Sequence, residues 1–315
     1  MLERYDKVLN GKIDPYYLEA KKVESDKDLD GMKLDELWKL HNRYISQGVP
    51  PFELKRKIAH EMLKDCQFCE RRCGVDRTKG QRGYCGVLES NVSSEFLHLG
   101  EENVLVPSHT VFFSRCNFGC VFCQNWEISQ KGQGRYIEPE ILASRLERSS
   151  GKNVNWVGGD PTPDIPYIMD VLSYLSKPIP QIWNSNMYLS MDSMRLLAKL
   201  MDLYLTDFKY GDDRCAERLS DVKNYTKIVK RNHKIAEKTG DLIIRHLVLP
   251  GHLECCTKHI LEWIDGNLKD PMVNIMTQYR PCYQAGEYSD IDRYLDRREK
   301  MMIRELKRKY SHLTP

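Results

Sequence analysis

The sequence predicts an α/β protein built around a parallel sheet of six strands. Between residues 104 and 280, short apolar runs alternate with stretches of helical periodicity. This alternation is typical of βαβ units, in which each helix crosses over to the next parallel strand. Polar and glycine-containing motifs follow several of the apolar runs, where parallel α/β folds place their sites. Six repeats fit a partial (β/α)6 barrel as well as an open doubly wound sheet.

The predicted strands are short and rich in apolar residues. They are Leu105–Phe113, Val154–Val157, Gln181–Trp183, Leu203–Phe208, Leu242–Leu249 and Val273–Met276. Helical patterns fall between them, near residues 138–150, 165–176, 191–201, 222–238 and 255–264. Residues 101–285 are therefore predicted to form the central α/β domain.

Three further segments are predicted outside this domain. Residues 1–63 form a helical N-terminal arm, with helical periodicity over Lys33–Ile45 and again over Phe52–Leu63. Residues 64–100 are rich in Gly, Arg and Cys, and such a segment folds around a metal more readily than around apolar side chains. Residues 286–315 carry one basic helix that runs from Asp290 to near Tyr310.

Composition and charge exclude several classes of protein. The net charge is only +3, and Glu299 and Glu305 interrupt the basic tail, which is typical of a solvated helix face. We therefore expect no nucleic-acid partner. The first fifteen residues contain no apolar segment of a signal peptide, and no apolar run approaches about 18 residues. We expect a cytoplasmic protein that does not bind a membrane.

Eleven cysteines are the unusual feature of the composition. In a reducing compartment, cysteines crowded at short spacings indicate metal ligands rather than disulfides. The first cluster supplies four thiolates, a complete set for Zn²⁺ or for an auxiliary [4Fe–4S] cluster. Its members are Cys66, Cys69, Cys73 and Cys85. The spacing does not separate these two alternatives.

The second cysteine cluster follows the first predicted strand. Cys116, Cys120 and Cys123 place three thiolates within eight residues, and no Cys or His occurs in the next thirty. A tetrahedral zinc site would need a fourth ligand. Three thiolates suit a [4Fe–4S] cluster in which one iron stays open to an external ligand. Reductive cleavage of S-adenosylmethionine (SAM) requires such an open iron.

The spacing Cys-x3-Cys-x-Phe-Cys, with Phe122 before the last cysteine, resembles the cluster motif of the radical SAM superfamily. Later motifs occur in the order of that family. Gly158-Gly159-Asp160 resembles its Gly-Gly-Glu loop, whose backbone meets the SAM amino group, although Asp replaces Glu. Asn184-Ser185-Asn186 resembles the segment that contacts ribose, although the glycine is missing. The resemblance also assigns Phe122 and Asn125 to the cofactor pocket.

Two further motifs resemble pyruvate formate-lyase activating enzyme. Asp207-Phe208-Lys209 is similar to its Asp-Leu-Lys segment, in which the lysine faces the SAM carboxylate. Arg245, followed by Pro250-Gly251, is similar to a segment whose arginine contacts the same carboxylate. The resemblance thus implies that Lys209 and Arg245 orient SAM through charge-assisted hydrogen bonds. Gln278-Tyr279-Arg280 departs from the family, because the activating enzymes tend to carry a histidine there.

The resemblance favours the partial (β/α)6 barrel and implies an enzyme that uses a [4Fe–4S] cluster and SAM. An electron from a ferredoxin- or flavodoxin-type donor would cleave SAM to methionine and a 5′-deoxyadenosyl radical, which abstracts hydrogen from the substrate. By resemblance the substrate is a polypeptide; a small metabolite or RNA is the alternative. A different class would be an iron–sulfur electron carrier or a zinc-stapled binding protein without SAM chemistry.

Several residues near the predicted strand ends have less specific roles. Cys282 is a candidate catalytic thiol that would donate a hydrogen atom, although free cysteines are often simply small buried apolar residues. The same two interpretations, together with ligation, apply to Cys255 and Cys256. His246 lies inside a predicted strand and is interpreted as a core histidine, and His252 as a residue of the pocket.

Overall fold

Seven strands form a single sheet in the computed structural model, which describes residues 2–314. They follow one another across the sheet in chain order: β1 (Val92–His98), β2 (Ser108–Phe113), β3 (Val154–Gly158), β4 (Gln181–Ser185), β5 (Leu203–Asp207), β6 (Asp241–Leu247) and β7 (Met272–Met276). Strand β1 is antiparallel to β2, and all the other pairs are parallel. A doubly wound sheet would reverse its strand order at a switch point. The uninterrupted order of β2 to β7 confirms the partial (β/α)6 barrel.

Twelve α-helices flank this sheet within residues 2–314. They are α1 (Glu3–Leu9), α2 (Tyr16–Lys21), α3 (Leu34–Gln47), α4 (Phe52–Glu61), α5 (Trp126–Ser129), α6 (Pro139–Arg148), α7 (Ile165–Tyr174), α8 (Met191–Leu197), α9 (Asp213–Ser220), α10 (Tyr225–Thr239), α11 (His259–Asn267) and α12 (Arg297–Lys309). A turn of π-helix at Leu253–Lys258 leads into α11. None of these helices is long and apolar enough to span a membrane.

The six predicted strands are all present, with ends shifted by up to three residues. Strand β1 was not predicted, because its segment was interpreted from its Gly, Arg and Cys content alone. Helices α1, α2, α5 and α9 were also not predicted. The C-terminal helix begins at Arg297 rather than at Asp290. Asp296 fixes that start, since its carboxylate accepts from the Glu299 N–H at 2.8 Å while Glu299 accepts from the Asp296 N–H at 2.8 Å.

The N-terminal arm closes one end of the barrel. Tyr5 on α1 is fully buried, in an apolar cluster that includes Ile182, Leu203 and Ile243 from three neighbouring strands. Its hydroxyl accepts a hydrogen bond from the Asn153 side chain at 2.8 Å. The arm thus covers apolar strand residues that would otherwise face water at the end opposite the predicted site.

Lys55 anchors α4 to the end of α8. This lysine is completely buried, and its ammonium donates to the carbonyl oxygens of Arg195, Leu196 and Ala198 at 3.2, 2.8 and 2.6 Å. The last carbonyls of a helix lack partners within the helix and carry partial negative charge. Lys55 therefore supplies hydrogen-bond donors to carbonyl groups at the end of α8 that have no partner within the helix.

Candidate active site

The loop with the three closely spaced cysteines leaves the C-terminal end of β2 and is held by the end of α9. The Gly119 N–H donates to the carbonyl of Ser220 at 3.0 Å, and the Val121 N–H donates to that of Leu219 at 3.0 Å. Phe118 is buried beneath the loop and packs edge-on against two tyrosine rings. These hydrogen bonds and ring contacts hold the loop in position against the rest of the protein.

Burial raises the pKa of all three thiols of this loop. Burial raises the pKa of Cys116 well above its ordinary value, and the Asp160 carboxylate adds to the effect. Burial also raises the pKa of Cys120 to about 11, although the Lys209 ammonium opposes it. The Ser220 hydroxyl lies 2.9 Å from the Cys120 sulfur and donates to it. A metal bound here would displace the thiol protons.

A cavity of about 390 Å³ opens at the C-terminal ends of the parallel strands. Its lining brings together residues that the sequence places in separate motifs. The predicted residues among them are Cys116, Cys120, Phe122, Cys123, Asn125, Gly158, Gly159, Asp160, Asn184, Ser185, Asn186, Asp207, Lys209 and Arg245. Every residue predicted to bind the cofactors at this site lines that cavity, while Cys282 is not among the lining residues.

Glycine is required at the end of β3 because the chain passes close to the cysteine loop. A Cβ on Gly159 would lie 1.9 Å from the carbonyl oxygen of Arg115, which precedes Cys116. Gly158 has φ +137°, and a Cβ there would lie 2.2 Å from the carbonyl oxygen of Phe113. Only glycine permits both the conformation and the approach.

Asp160 connects two of the predicted motifs. Its carboxylate accepts from the Thr162 N–H at 3.0 Å and from the Asn186 N–H at 2.9 Å. The side chain is buried, and burial raises its pKa to about 6 despite these hydrogen bonds. The Asn186 amide in turn donates to the Asn117 side chain at 2.6 Å, beside the first cysteine of the loop. The carboxylate thus fixes the β4 loop against the β3 loop.

Both predicted cations are paired with carboxylates of the chain. The Lys209 ammonium donates to Asp207 at 2.6 Å. Burial alone would lower the pKa of Lys209, but the Asp207 carboxylate outweighs it and raises that pKa. Arg245 makes a two-pronged contact with Glu102 at 2.9 and 2.6 Å and a further hydrogen bond with Glu101. A ligand carboxylate that binds Lys209 or Arg245 would share that cation with the carboxylates of the chain.

Glu101 and Glu102, which the sequence reasoning missed, lie in the loop between β1 and β2. Asn155 donates to Glu101 at 3.0 Å, and Asn274 donates to Glu102 at 2.8 Å. Both carboxylates line the cavity and are almost fully buried. The one signal in the sequence was a pair of adjacent acidic residues beyond the Cys-rich segment. Their role could not be predicted from it, because their partner Arg245 is more than 140 residues away.

Cys282 lies in the loop after β7 and is partly buried. A negative charge on it would raise the pKa of Cys123, which places the two thiols in the same neighbourhood. The next residue, Tyr283, stacks on Trp126 with ring centroids 5.5 Å apart. His246 is fully hydrogen-bonded, to the Phe208 carbonyl at 2.8 Å and to the Thr257 hydroxyl at 2.9 Å, and is a core histidine as predicted.

The four-cysteine segment forms a compact knuckle beside the loop that carries the other three cysteines. Its sulfur atoms line one small apolar pocket whose wall includes Asn117, the residue after Cys116; the four are Cys66, Cys69, Cys73 and Cys85. Burial raises the pKa of Cys69 to about 12, and negative charge on the other three cysteines contributes to this rise. The Arg71 guanidinium joins the knuckle to the loop by donating to the Asn117 carbonyl at 2.7 Å.

Comparison with known proteins identifies the family of this chain. A family model described as the radical SAM superfamily matches residues 110–264. The chain belongs to the radical SAM superfamily. An uncharacterised protein of Methanocaldococcus jannaschii is 47% identical over 333 aligned positions, an alignment that covers 98% of each chain. Membership implies an enzyme that uses a [4Fe–4S] cluster and SAM.

Two solved structures are similar to this chain at low sequence identity. Streptococcus suis SuiB bound to precursor peptide SuiA gives a TM-score of 0.48 at 13% identity, covering 97% of this chain and 58% of SuiB. Methylornithine synthase gives a TM-score of 0.43 at 14% identity, covering 96% of this chain and 76% of that enzyme. This chain therefore spans little more than half the length of SuiB.

Proposed function

We propose that this chain binds a [4Fe–4S] cluster through Cys116, Cys120 and Cys123 and binds SAM in the adjoining cavity. The observation that carries the proposal is the convergence of three closely spaced thiols, the Gly158–Asp160 loop and the Lys209 ammonium on one cavity. Three thiolates leave one iron of a cubane cluster without a protein ligand. The donor set of the chain therefore fits a cluster that takes an external ligand.

The residues of the cavity are suited to hold SAM in one orientation. Gly158 and Gly159 line the cavity, and their lack of side chains lets this backbone lie directly against the cysteine loop. Lys209 and Arg245 present cationic donors on neighbouring strands β5 and β6. We assign these two side chains to the SAM carboxylate, which they would share with Asp207 and Glu102.

Bound together, the cluster and SAM supply one-electron cleavage of SAM and hydrogen-atom abstraction from a substrate. The chain's own contribution is to bind, orient and shield these groups. Asp207 holds Lys209 protonated, and the wall of the cavity includes the buried Phe122. We propose a polypeptide substrate, as in the activating enzymes whose motifs the sequence resembles, and a ferredoxin- or flavodoxin-type electron donor in the cytoplasm.

We further propose that Cys66, Cys69, Cys73 and Cys85 hold a second metal group. The knuckle adjoins Asn117, so a group bound there would lie next to the loop of the first cluster. Zinc would fix the knuckle to the barrel, and an auxiliary [4Fe–4S] cluster would also provide a route for electrons. Iron analysis of the reconstituted protein decides between them: about eight iron atoms per chain indicate two clusters, and about four indicate one.

Anaerobic reconstitution with iron and sulfide tests the main proposal. The wild-type protein, supplied with dithionite and SAM, should form 5′-deoxyadenosine, and Cys120→Ala should form none. Cys282→Ala is the matched cysteine control, because Cys282 does not line the cavity. It should retain the first cluster and still cleave SAM. If a fully loaded wild-type protein forms no 5′-deoxyadenosine and its reduced EPR spectrum is unchanged by SAM, the proposal is wrong.

A further inference from the structure

Four metal-ligating side chains that the proposed reaction does not use meet outside the main cavity. Cys215 lies on α9, His252 follows β6, and Cys255 and Cys256 lie on the π-helical turn. Their ligand atoms all lie within 4.8 Å of one another. None of the four lines the main cavity. The sequence separates Cys215 from the other three by more than 35 residues, so the tertiary structure alone creates this group.

Four of the six distances between these atoms match the edges of a tetrahedron around one metal ion, and the other two do not exceed 4.8 Å. The Cys215 and Cys255 sulfurs are 3.7 Å apart, and those of Cys255 and Cys256 are 3.9 Å apart. The His252 Nδ1 lies 3.4 Å from the Cys215 sulfur and 3.5 Å from that of Cys255. Zinc bonds of about 2.3 Å to sulfur and about 2.0 Å to nitrogen give tetrahedral edges of roughly 3.8 and 3.6 Å. The sulfurs are too far apart for disulfides, which need about 2.05 Å.

His252 is held with the correct nitrogen toward the sulfur atoms. Its Nε2 lies 2.9 Å from an Asp290 carboxylate oxygen, which leaves Nδ1 as the atom that faces the thiols. Asp290 is in turn held by the Arg218 guanidinium. A carboxylate on the far nitrogen of a ligating histidine fixes the ring and its tautomer, and is a regular feature of metal sites.

Close packing holds Cys215 on α9 next to His252, Cys255 and Cys256 at the π-helical turn. Gly211 lies so close to the π-helical turn that a Cβ there would be 2.7 Å from the Cys256 carbonyl oxygen. Cys256 and His252 are buried, whereas Cys215 and Cys255 are partly accessible. The group is therefore preformed on two elements and still open to an entering ion.

We propose that Cys215, His252, Cys255 and Cys256 form a structural Zn²⁺ site. Three thiolates and one imidazole complete a closed tetrahedral shell, with no position left for water or substrate. Zn²⁺ with three thiolates has a net charge of −1. This proposal does not depend on SAM binding or on the metal in the four-cysteine knuckle.

The zinc would restrain the cluster loop, which carries Cys116, Cys120 and Cys123, through α9. Cys215 lies in the first half of this helix, and the last two residues of the helix hold the cluster loop. Leu219 and Ser220 accept from the backbone of that loop, and the Ser220 hydroxyl donates to Cys120. An ion that ties α9 to the loop after β6 would therefore limit the movement of the cluster loop.

Zinc content of the purified, iron–sulfur-loaded full-length protein is the first test. After dialysis against a weak chelator, Cys215→Ser and His252→Ala should each contain about one zinc equivalent less than the wild type, with unchanged iron and sulfide. His259→Ala, which replaces an exposed histidine just beyond the turn, should keep the wild-type zinc content. His252→Cys should retain the ion, and X-ray absorption should then show one nitrogen ligand fewer and one sulfur ligand more.

Asp290→Asn provides a second readout. Loss of the carboxylate on His252 should weaken zinc binding by about 10- to 100-fold in a chelator competition, with the fold retained. The proposal is overturned if the wild type and Cys215→Ser contain equal zinc after zinc supplementation. It is also overturned if His252→Cys leaves the X-ray absorption spectrum unchanged, or if the substitutions remove iron instead of zinc.

Discussion

Glu102 accepts two parallel hydrogen bonds from Arg245, one from Nε at 2.9 Å and one from Nη2 at 2.6 Å. Burial alone would raise the pKa of Glu102, but the hydrogen bonds and charge of Arg245 outweigh it and leave the pKa below its ordinary value. The pair joins the loop before β2 to the end of β6. Both residues line the cavity, so the pair ties that loop to the cavity wall.

Arg245→Ala should destabilise the protein in a pH-dependent way. It removes the guanidinium from the buried Glu101 and Glu102 carboxylates and leaves them the contacts with His98, Asn155 and Asn274, at a cost of about 3–5 kcal/mol at pH 7. In the wild type the lowered pKa of Glu102 contributes stability above its unfolded pKa of about 4.3, and this is lost as the pH falls. In the variant both carboxylates take up protons instead, so the difference should shrink toward pH 5.

Urea denaturation of the wild type and Arg245→Ala at pH 7 and pH 5 measures this difference. Arg148→Ala on α6 is the matched control, because Arg148 is exposed. It should change the free energy of unfolding by less than about 0.5 kcal/mol at either pH. An equal cost of Arg245→Ala at both pH values would contradict the explanation.

Gly159→Ala should disrupt the cysteine loop. The new methyl group would overlap the Arg115 carbonyl, and the backbone must move, at a cost of about 1–3 kcal/mol. The amount of iron bound per chain after reconstitution should therefore be lower in Gly159→Ala than in the wild type. Gly266→Ala in α11 is the control, because a Cβ there meets nothing within 4 Å. It should be neutral or stabilise the helix by up to about 1 kcal/mol. Equal iron content in the two variants would refute the steric argument.

Ser220→Ala should lower the reduction potential of the bound cluster without removing a ligand. The hydroxyl donates to the Cys120 sulfur at 2.9 Å, and such a bond stabilises the more negative, reduced state. The shift should be up to about 60 mV, the one-electron equivalent of about 1.4 kcal/mol. Potentiometric EPR measures it, with Ser173→Ala on α7 as the control. An unshifted potential would show that the hydrogen bond is absent in the loaded protein.

Lys55→Met should destabilise the attachment of the N-terminal arm. The substitution keeps the apolar stem but removes the donor from three carbonyls at the end of α8, at a cost of about 2–4 kcal/mol. Chemical denaturation is the measurement. Lys39→Met, at an exposed lysine on α3, should have little effect. If the two variants lose the same stability, Lys55 has no special role.

The sequence by itself determined the alternation of strands and helices, and the three-cysteine loop with the motifs at the strand ends. Apolar periodicity is a local property, and so is the spacing of Cys116, Cys120 and Cys123 within one loop. Strand β1 escaped prediction because a half-exposed edge strand has no continuous apolar run, and because its neighbours are glycines and cysteines.

Only the tertiary structure decided which distant side chains meet. The pairing of Arg245 with Glu101 and Glu102, and the group formed by Cys215 with His252, each join segments that follow different strands. Cys215 and His252 follow β5 and β6, and parallel strands bring their C-terminal loops to one end of the barrel. Glu101 and Glu102 reach Arg245 differently, from the loop after the antiparallel β1, whose last residue lies opposite the first residue of β2. The choice among those neighbours depends on strand register and loop packing, which no local pattern of residues encodes.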